Sequence, residues 1–361
     1  MIASIILSLL LAFCVLIIFA QFISRALSNG LNPGLRSGFG SMSSREVGPR
    51  LEECLLEDNG SRRKIAVITV DGIITGQQAD PEGYNMVDVI KAQFERARDD
   101  DRVKAVILKV DSPGGEVLAS DEISKIVRDF QKDETNAATQ EIIRGKPVVC
   151  SMGSLAASGG YYISVPCRWI VANELTITGS IGVIMHTWNY RGLMDKVGLM
   201  PVTYKSGKFK DMLSGDRSTN EIPVEEHAMV QKLIDETYSR FTNVVCTGRS
   251  QAYQYNNKEG QRLADDWTNY VDGRVWSGIE AQKRGFVDEL GDFDKAVERA
   301  RKLGHISSAN LVEYRERHDI GEFLRLFGQN SAAHNLKLDF GLEGPRLEPG
   351  QLYFLSSTVV N

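Results

Sequence analysis

Short runs of apolar, mostly β-branched residues constrain the fold of this chain more than any other feature. They lie at residues 64–70, 103–110, 147–150 and 169–172. Nearly unbroken runs of this kind are typical of strands buried in a core. The stretches between the first three are helix-compatible, with apolar side chains at helical spacing in residues 86–98 and an apolar inward face in residues 116–134. This alternation of strand and helix predicts an α/β domain. A further strand is predicted at residues 200–204.

The chain begins with an uncharged segment. Residues 1–24 carry no charged side chain and consist mostly of Ile, Leu, Val, Phe and Ala. About 20 such residues are enough to cross a bilayer as a helix, so we predict one transmembrane signal anchor here. A cleaved signal peptide is the alternative, but the run is long and no clear Ala-x-Ala site follows it. The arginines that follow favour a cytoplasmic domain by the positive-inside tendency.

Composition and patterning divide the rest of the chain and exclude some functions. We expect a juxtamembrane linker at residues 25–62, a folded domain at 63–304 and a polar C-terminal extension of unassigned role at 305–361. The net charge of −5 gives no indication of a nucleic-acid partner. The five cysteines and five histidines show no ligand spacing, so we predict neither a metal nor another cofactor.

Ser158 is the candidate nucleophile. It lies in a stretch of small residues, 151–162, and directly precedes Gly159 and Gly160. The stretch follows the strand at 147–150, so Ser158 is expected at the start of a helix, where free N–H groups favour negative charge. The alternative is that these small residues only let a helix pack closely against the sheet, and the stretch alone does not decide between the two.

Three glycine-rich segments follow predicted strands, at residues 111–115, 151–160 and 178–182. Loops at the carboxyl ends of parallel strands converge, so these segments are expected to face one another. The pair Gly114 and Gly115 would let a backbone N–H approach a substrate carbonyl, although a simple turn after Pro113 is the alternative.

A general base must accompany the serine. No histidine lies in these loops, whereas a desolvated lysine can accept a serine proton near neutral pH. Three lysines lie close together downstream, and spacing does not separate them: Lys205, Lys208 and Lys210.

Four ordered motifs resemble the signal peptide peptidase A family, membrane-anchored serine/lysine endopeptidases of the ClpP/crotonase superfamily. They are Ser-Pro-Gly-Gly at 112–115, Met-Gly-Ser-Leu-Ala-Ala-Ser-Gly-Gly-Tyr-Tyr at 152–162, Thr-Gly-Ser-Ile-Gly-Val at 178–183 and Lys-Ser-Gly-Lys-Phe-Lys-Asp at 205–211. The resemblance covers roughly residues 64–303. It implies an α/β fold built as a repeated strand-strand-helix spiral, a ring-like homo-oligomer and a domain on the extracytoplasmic side of the membrane, against the charge tendency.

The resemblance also implies roles for individual residues. Ser158 matches the nucleophile, Lys210 the general base and Ser180 the serine that orients the lysine. The N–H groups of Gly115 and Gly159 match the oxyanion hole, with Gly114 as the alternative to Gly115.

The implied substrates are extended, apolar peptides such as signal peptide remnants left in the membrane. Three residues are candidate subsite residues and equally candidate core residues: Met152, Leu155 and Met212. Two other functions stay open, a crotonase-like acyl-CoA enzyme and a catalytically silent scaffold that binds peptides.

Overall fold

The apolar runs at residues 64–70 and 103–110 form neighbouring strands of one sheet. A computed structural model describes residues 48–78, 83–135, 140, 142–316 and 352–355. Its strands are β1 (Leu51–Glu57), β2 (Lys64–Asp71), β3 (Val103–Ser112), β4 (Gly114–Glu116), β5 (Glu134–Thr135), β6 (Ile142–Ile143), β7 (Val148–Ala157), β8 (Trp169–Ala172), β9 (Ile177–Gly179), β10 (Val275–Ser277), β11 (Glu289–Leu290), β12 (Asn310–Glu316) and β13 (Tyr353–Leu355). Its α-helices are α1 (Met86–Asp99), α2 (Val117–Phe130), α3 (Gly159–Ser164), α4 (Arg191–Lys196), α5 (Val224–Tyr255), α6 (Gly278–Lys283) and α7 (Phe293–Leu303).

The main sheet has the strand order β1-β12-β2-β3-β7-β8-β11. The strands from β12 to β11 are parallel, and β1 closes one edge by pairing antiparallel with β12. The end of β7 pairs with β9, which in turn pairs antiparallel with β10. In the chain, β1 precedes and β12 follows the domain predicted at 63–304. The sheet therefore includes residues from beyond both predicted boundaries.

Both faces of the sheet are covered, which explains the unbroken apolar runs. On β2, Ile65 and Val67 point to one core and Ala66, Ile68 and Val70 to the other. The larger core lies under α1, α2, α3 and α5, whereas the smaller core lies under α7. Alternate side chains of one strand enter opposite layers, so each must be apolar. The α/β architecture predicted from the alternation is confirmed.

Two predicted elements differ from the structure. The strand predicted at 147–150 continues to Ala157, through residues that we assigned to a glycine-rich loop. The strand predicted at 200–204 is absent, and its backbone pairs with no other strand among the described residues. Propensity alone does not make a strand, because a strand needs a partner for its backbone hydrogen bonds.

The predicted transmembrane anchor at residues 1–24 lies outside the described residues, as does most of the predicted linker. Among the helices that the structure describes, none is both long and apolar enough to cross a membrane.

Candidate active site

Ser158 lies at the sharp corner between β7 and α3. It is the N-cap of α3, with φ 55° and ψ −117°, a conformation that non-glycine residues rarely adopt. Its side chain is buried, and its Oγ makes no hydrogen bond to any described residue. A strained backbone costs on the order of 1–3 kcal/mol, and a buried unpaired hydroxyl adds to that cost. Both features are typical of a functional serine.

The backbone around Ser158 makes this corner rigid. The Ser158 N–H donates to the carbonyl of Gly179 at 2.8 Å, and its carbonyl accepts the N–H of Tyr162 at 2.8 Å. The preceding strand is shaped by Asp111, whose Oδ1 accepts the Leu155 N–H at 3.0 Å. These contacts orient the turn independently of the Ser158 side chain.

The two glycine segments predicted to converge do meet. A Cβ on Gly159 would lie 3.1 Å from both the Cα of Gly114 and the N of Gly115. The Gly114 N–H already donates to Ser112 Oγ at 3.1 Å. Of the two neighbouring glycines, Gly115 is therefore the better candidate for donating to an oxyanion beside Gly159.

Ser180 lies next to this corner. β7 and β9 are adjacent strands, and Ala157 pairs with Gly179. Ser158 and Ser180 are the next residue after each strand and therefore lie side by side. Ser180 is buried, has φ 50°, and donates its N–H to the Arg274 carbonyl at 2.8 Å. The structure thus brings together the predicted nucleophile, the predicted oxyanion donors and the predicted orienting serine.

The lysines lie elsewhere, on a segment that we call the exposed arm (residues 184–222), in which no residue is buried. Lys205 is paired with Asp211 at 2.8 Å, and Lys208 lies 3.5 Å from Glu225. The hydrogen bond from Lys205 holds the pKa of Asp211 below its ordinary value. Lys210 is exposed, and its amine forms no ion pair or hydrogen bond with any described residue. Of the three lysines, Lys210 is therefore the one whose amine has no partner among the described residues. It forms no hydrogen bond with Ser158 Oγ.

The three candidate subsite residues occupy different environments. Met152 is 6% exposed and packs in the larger core, whereas Leu155 and Met212 are half-buried. Side chains alternate across a strand, so the side chain of Met152 points into the sheet's core layer.

Sequence reasoning missed the C-terminal residues at the site. β13 pairs antiparallel with β4, the strand that contains Gly115, and Phe354 is fully buried against Tyr162 and Phe241. The available signal was the apolar tetrapeptide Leu-Tyr-Phe-Leu at 352–355 within the region that we assigned as polar.

Comparisons with known proteins find similar peptidases. The profile of peptidase family S49 matches residues 140–307. "Putative signal peptide peptidase SppA" of Enterococcus faecium is 35% identical over 269 residues, which cover 73% of this chain and 71% of that protein. "Protease 4" of Haemophilus influenzae is 35% identical over 248 residues, covering 69% of this chain but 36% of that protein. Among solved structures, a ClpP1 mutant from Listeria monocytogenes is 14% identical, covers 65% of this chain and 95% of its own, and has a TM-score of 0.34.

Proposed function

The chain belongs to the SppA group of peptidase family S49 and is a serine peptidase, and we propose that Ser158 is its nucleophile and Lys210 its general base. The observation that supports this proposal is the strained, buried Ser158 beside two glycine N–H groups, with an Oγ that forms no hydrogen bond in the described part of the chain. A hydroxyl in that position can attack a carbonyl whose oxygen lies between Gly115 and Gly159.

The proposed reaction is acyl transfer to the serine followed by hydrolysis. The neutral amine of Lys210 takes the Ser158 proton as Oγ attacks the peptide carbonyl, and the N–H groups of Gly115 and Gly159 bind the oxyanion. The proton passes to the leaving amine, and water then hydrolyses the acyl-enzyme. Ser180 orients the lysine amine during these steps.

A second copy of the chain supplies the lysine in this proposal. Among the described residues, no base forms a hydrogen bond with Ser158 Oγ, and the Lys210 amine on the exposed arm has no partner. Large apolar side chains that are mostly solvent-exposed cover that arm, which is typical of an interface. They are Trp188, Tyr190, Leu193, Val197, Leu199, Met200, Val202 and Tyr204. Docking of the arm on a neighbour would bury them and bring Lys210 to Ser158 in a homo-oligomer.

We also propose a spiral fold, a membrane anchor and a substrate class for this peptidase. The succession β3, β4 and α2 supports one unit of a ClpP/crotonase-like strand-strand-helix spiral. The uncharged residues 1–24 support a single-pass membrane anchor, with the peptidase domain outside the cytoplasm. The proposed substrates are extended apolar peptides, such as remnant signal peptides, because β4 pairs with the separate apolar segment β13 and its edge therefore accepts an added strand.

Subunit mixing tests both residues and their arrangement. Ser158→Ala and Lys210→Ala should each abolish hydrolysis of a fluorogenic apolar peptide, whereas the control Lys208→Ala should keep it. Mixing the two inactive variants after dissociation and reassembly should restore part of the activity, because some sites then combine an intact serine with an intact lysine. Full activity of either single variant would refute the dyad, and a silent mixture would refute the lysine from a second copy. Hydrolysis itself excludes the silent scaffold, and lack of acyl-CoA turnover excludes the crotonase-like alternative.

A further inference from the structure

The segment at residues 352–355 lies in a groove between β4 and Ile184. Its pairing with β4 is antiparallel, with Phe354 opposite Gly115. On the other side, Tyr353 exchanges two backbone hydrogen bonds with Ile184, at 3.1 and 3.2 Å. The segment is therefore held as an extended strand between two edges, which is how many domains bind a peptide by strand addition.

The carbonyl of Phe354 points at the glycine pair. A Cβ on Gly114 would lie 1.9 Å from the Phe354 oxygen and 2.6 Å from the Gly159 nitrogen. The carbonyl therefore occupies the gap between the two glycine segments, next to the residue that follows Ser158. Only glycine at position 114 leaves room for a peptide backbone to approach so closely.

The hydrogen-bond pattern of the ladder supports the same placement. The Val117 N–H donates to the Leu352 carbonyl at 3.3 Å. Hydrogen-bonded pairs alternate along an antiparallel ladder, so Gly115 and Phe354 form the next such pair. The N–H that we assign to the oxyanion hole thus faces the Phe354 carbonyl.

The side chain of Phe354 fills an aromatic pocket behind the serine. Its ring stacks on Tyr162, with centroids 4.9 Å apart, and its centroid is 4.7 Å from that of Phe241. Tyr162 lies on α3, one helical turn after Ser158. A peptide in this register places Phe354 on the amino side of the bond that Ser158 would attack.

We propose that residues 352–355 are a tethered pseudosubstrate, which occupies the peptide groove with Phe354 in the pocket next to Ser158 and inhibits the enzyme until a peptide displaces it. This inference rests on the proposed peptidase function of that groove. A tethered segment competes at an effective concentration on the order of millimolar, so only peptides that also fill the aromatic pocket displace it efficiently. Because Phe354 fills this pocket, the preferred substrate residue on the amino side of the cleaved bond is aromatic or large and apolar.

Peptide binding to a catalytically inactive variant tests whether residues 352–355 occupy the groove. In the full chain with Ser158→Ala, a fluorescein-labelled hexapeptide matching residues 351–356 reports groove occupancy by fluorescence anisotropy. Adding Phe354→Asp should tighten the peptide's Kd about tenfold or more, because the tethered competitor no longer fits the apolar pocket. The matched control is Leu55→Asp, an exposed position on β1 at the far edge of the sheet. Equal affinity in all three proteins would overturn the inference.

A second variant covers the case in which Phe354→Asp fails to fold. Tyr353→Pro removes the N–H that donates to Ile184 and leaves the aromatic pocket intact. It should also tighten peptide binding, and a thermal melt shows whether each variant is folded.

With Ser158 restored, Phe354→Asp should raise kcat/KM for an apolar peptide by a similar factor. If no variant hydrolyses peptides but the affinity difference persists, the proposed function fails, and residues 352–355 remain as a displaceable occupant of a peptide-binding groove. If hydrolysis occurs with unchanged rates and affinities, the pseudosubstrate is refuted and the peptidase remains.

Discussion

Ser158 and Ser180 lie side by side where β7 and β9 end, linked by the hydrogen bond from the Ser158 N–H to the Gly179 carbonyl at 2.8 Å. Both residues have left-handed backbones, with φ 55° and 50°. Such conformations persist only where the surrounding structure imposes them. The sheet therefore holds two strained serines at one point, which is the arrangement expected when one hydroxyl reacts and the other positions the base.

Removal of the Ser180 hydroxyl should slow catalysis without unfolding the protein. We expect Ser180→Ala and Ser180→Gly to lower kcat about tenfold or more, because the lysine amine loses its orienting partner. Ser180→Gly should be at least as stable as the parent, since glycine tolerates φ 50°. Steady-state kinetics over a range of pH, with thermal melts, provide the measurement, and Ser154→Ala is the exposed control on β7. Unchanged kcat and an unchanged pH profile would rule out a positioning role.

Asp100 should make folding stability depend on pH in acid. Burial opposes its ionisation, but hydrogen bonds from Arg102 and Lys64 outweigh this and hold the pKa of Asp100 well below its usual range. A depressed folded pKa contributes stability that is fully present above about pH 4, the unfolded value, and is lost as the pH falls toward the folded value. Asp100→Asn should therefore cost about 2 kcal/mol at neutral pH, and this difference should shrink below pH 4.

Urea denaturation at pH 7 and pH 3 measures this effect. The neighbouring Asp101→Asn is the control, because Asp101 is exposed. A pH-independent difference between Asp100→Asn and the parent would show that the carboxylate charge is not the cause.

The buried ion pair of Arg249 and Asp288 should contribute strongly to the free energy of unfolding. Asp288 accepts two hydrogen bonds from Arg249, at 2.5 and 2.9 Å, and one from the Ile170 N–H at 2.8 Å. Arg249→Met leaves a buried carboxylate without its cation, and should cost about 3–5 kcal/mol in urea unfolding. Glu298→Gln, which breaks an exposed pair with Lys295, should cost less than about 1 kcal/mol. Similar costs for the two substitutions would contradict this assignment.

Phe241 should set the preference for the substrate residue next to the cleaved bond. If Phe354 marks that position, Phe241→Leu loosens the aromatic pocket. The ratio of kcat/KM for peptides with Phe against Leu before the cleaved bond should then fall about tenfold. Phe130→Leu is the matched control, because Phe130 is buried in the same core against Phe94 and away from the groove. An equal change in both variants would indicate a general packing effect.

Local patterns were sufficient to predict several elements of the fold. Apolar runs predicted β2, β3 and β8, since strands covered on both faces need apolar side chains at successive positions. The helical spacing of Met86, Val89, Ile90 and Phe94 predicted α1, which the structure places at Met86–Asp99. The sequence also predicted Ser158 at the start of a helix, because a serine before two glycines followed a strand. Local patterns misassigned residues 200–204, where a strand-like sequence pairs with no strand that the structure describes.

Long-range contacts decided the rest. The sequence by itself determined the α/β class and the glycine, serine and lysine candidates, since those depend on residues near one another in the chain. Only the tertiary structure showed that the Gly114 N–H donates to Ser112 and that Phe354 lies against β4. It also showed that Lys205 and Lys208 are paired, whereas Lys210 has no ionic partner among the described residues. The pairing of Phe354 depends on which distant segments meet, whereas the other contacts depend on local side-chain and loop conformations, and no periodicity in a short window encodes either. The physical reason is that strand pairing and core packing join residues that lie far apart in the chain, such as Gly115 and Phe354.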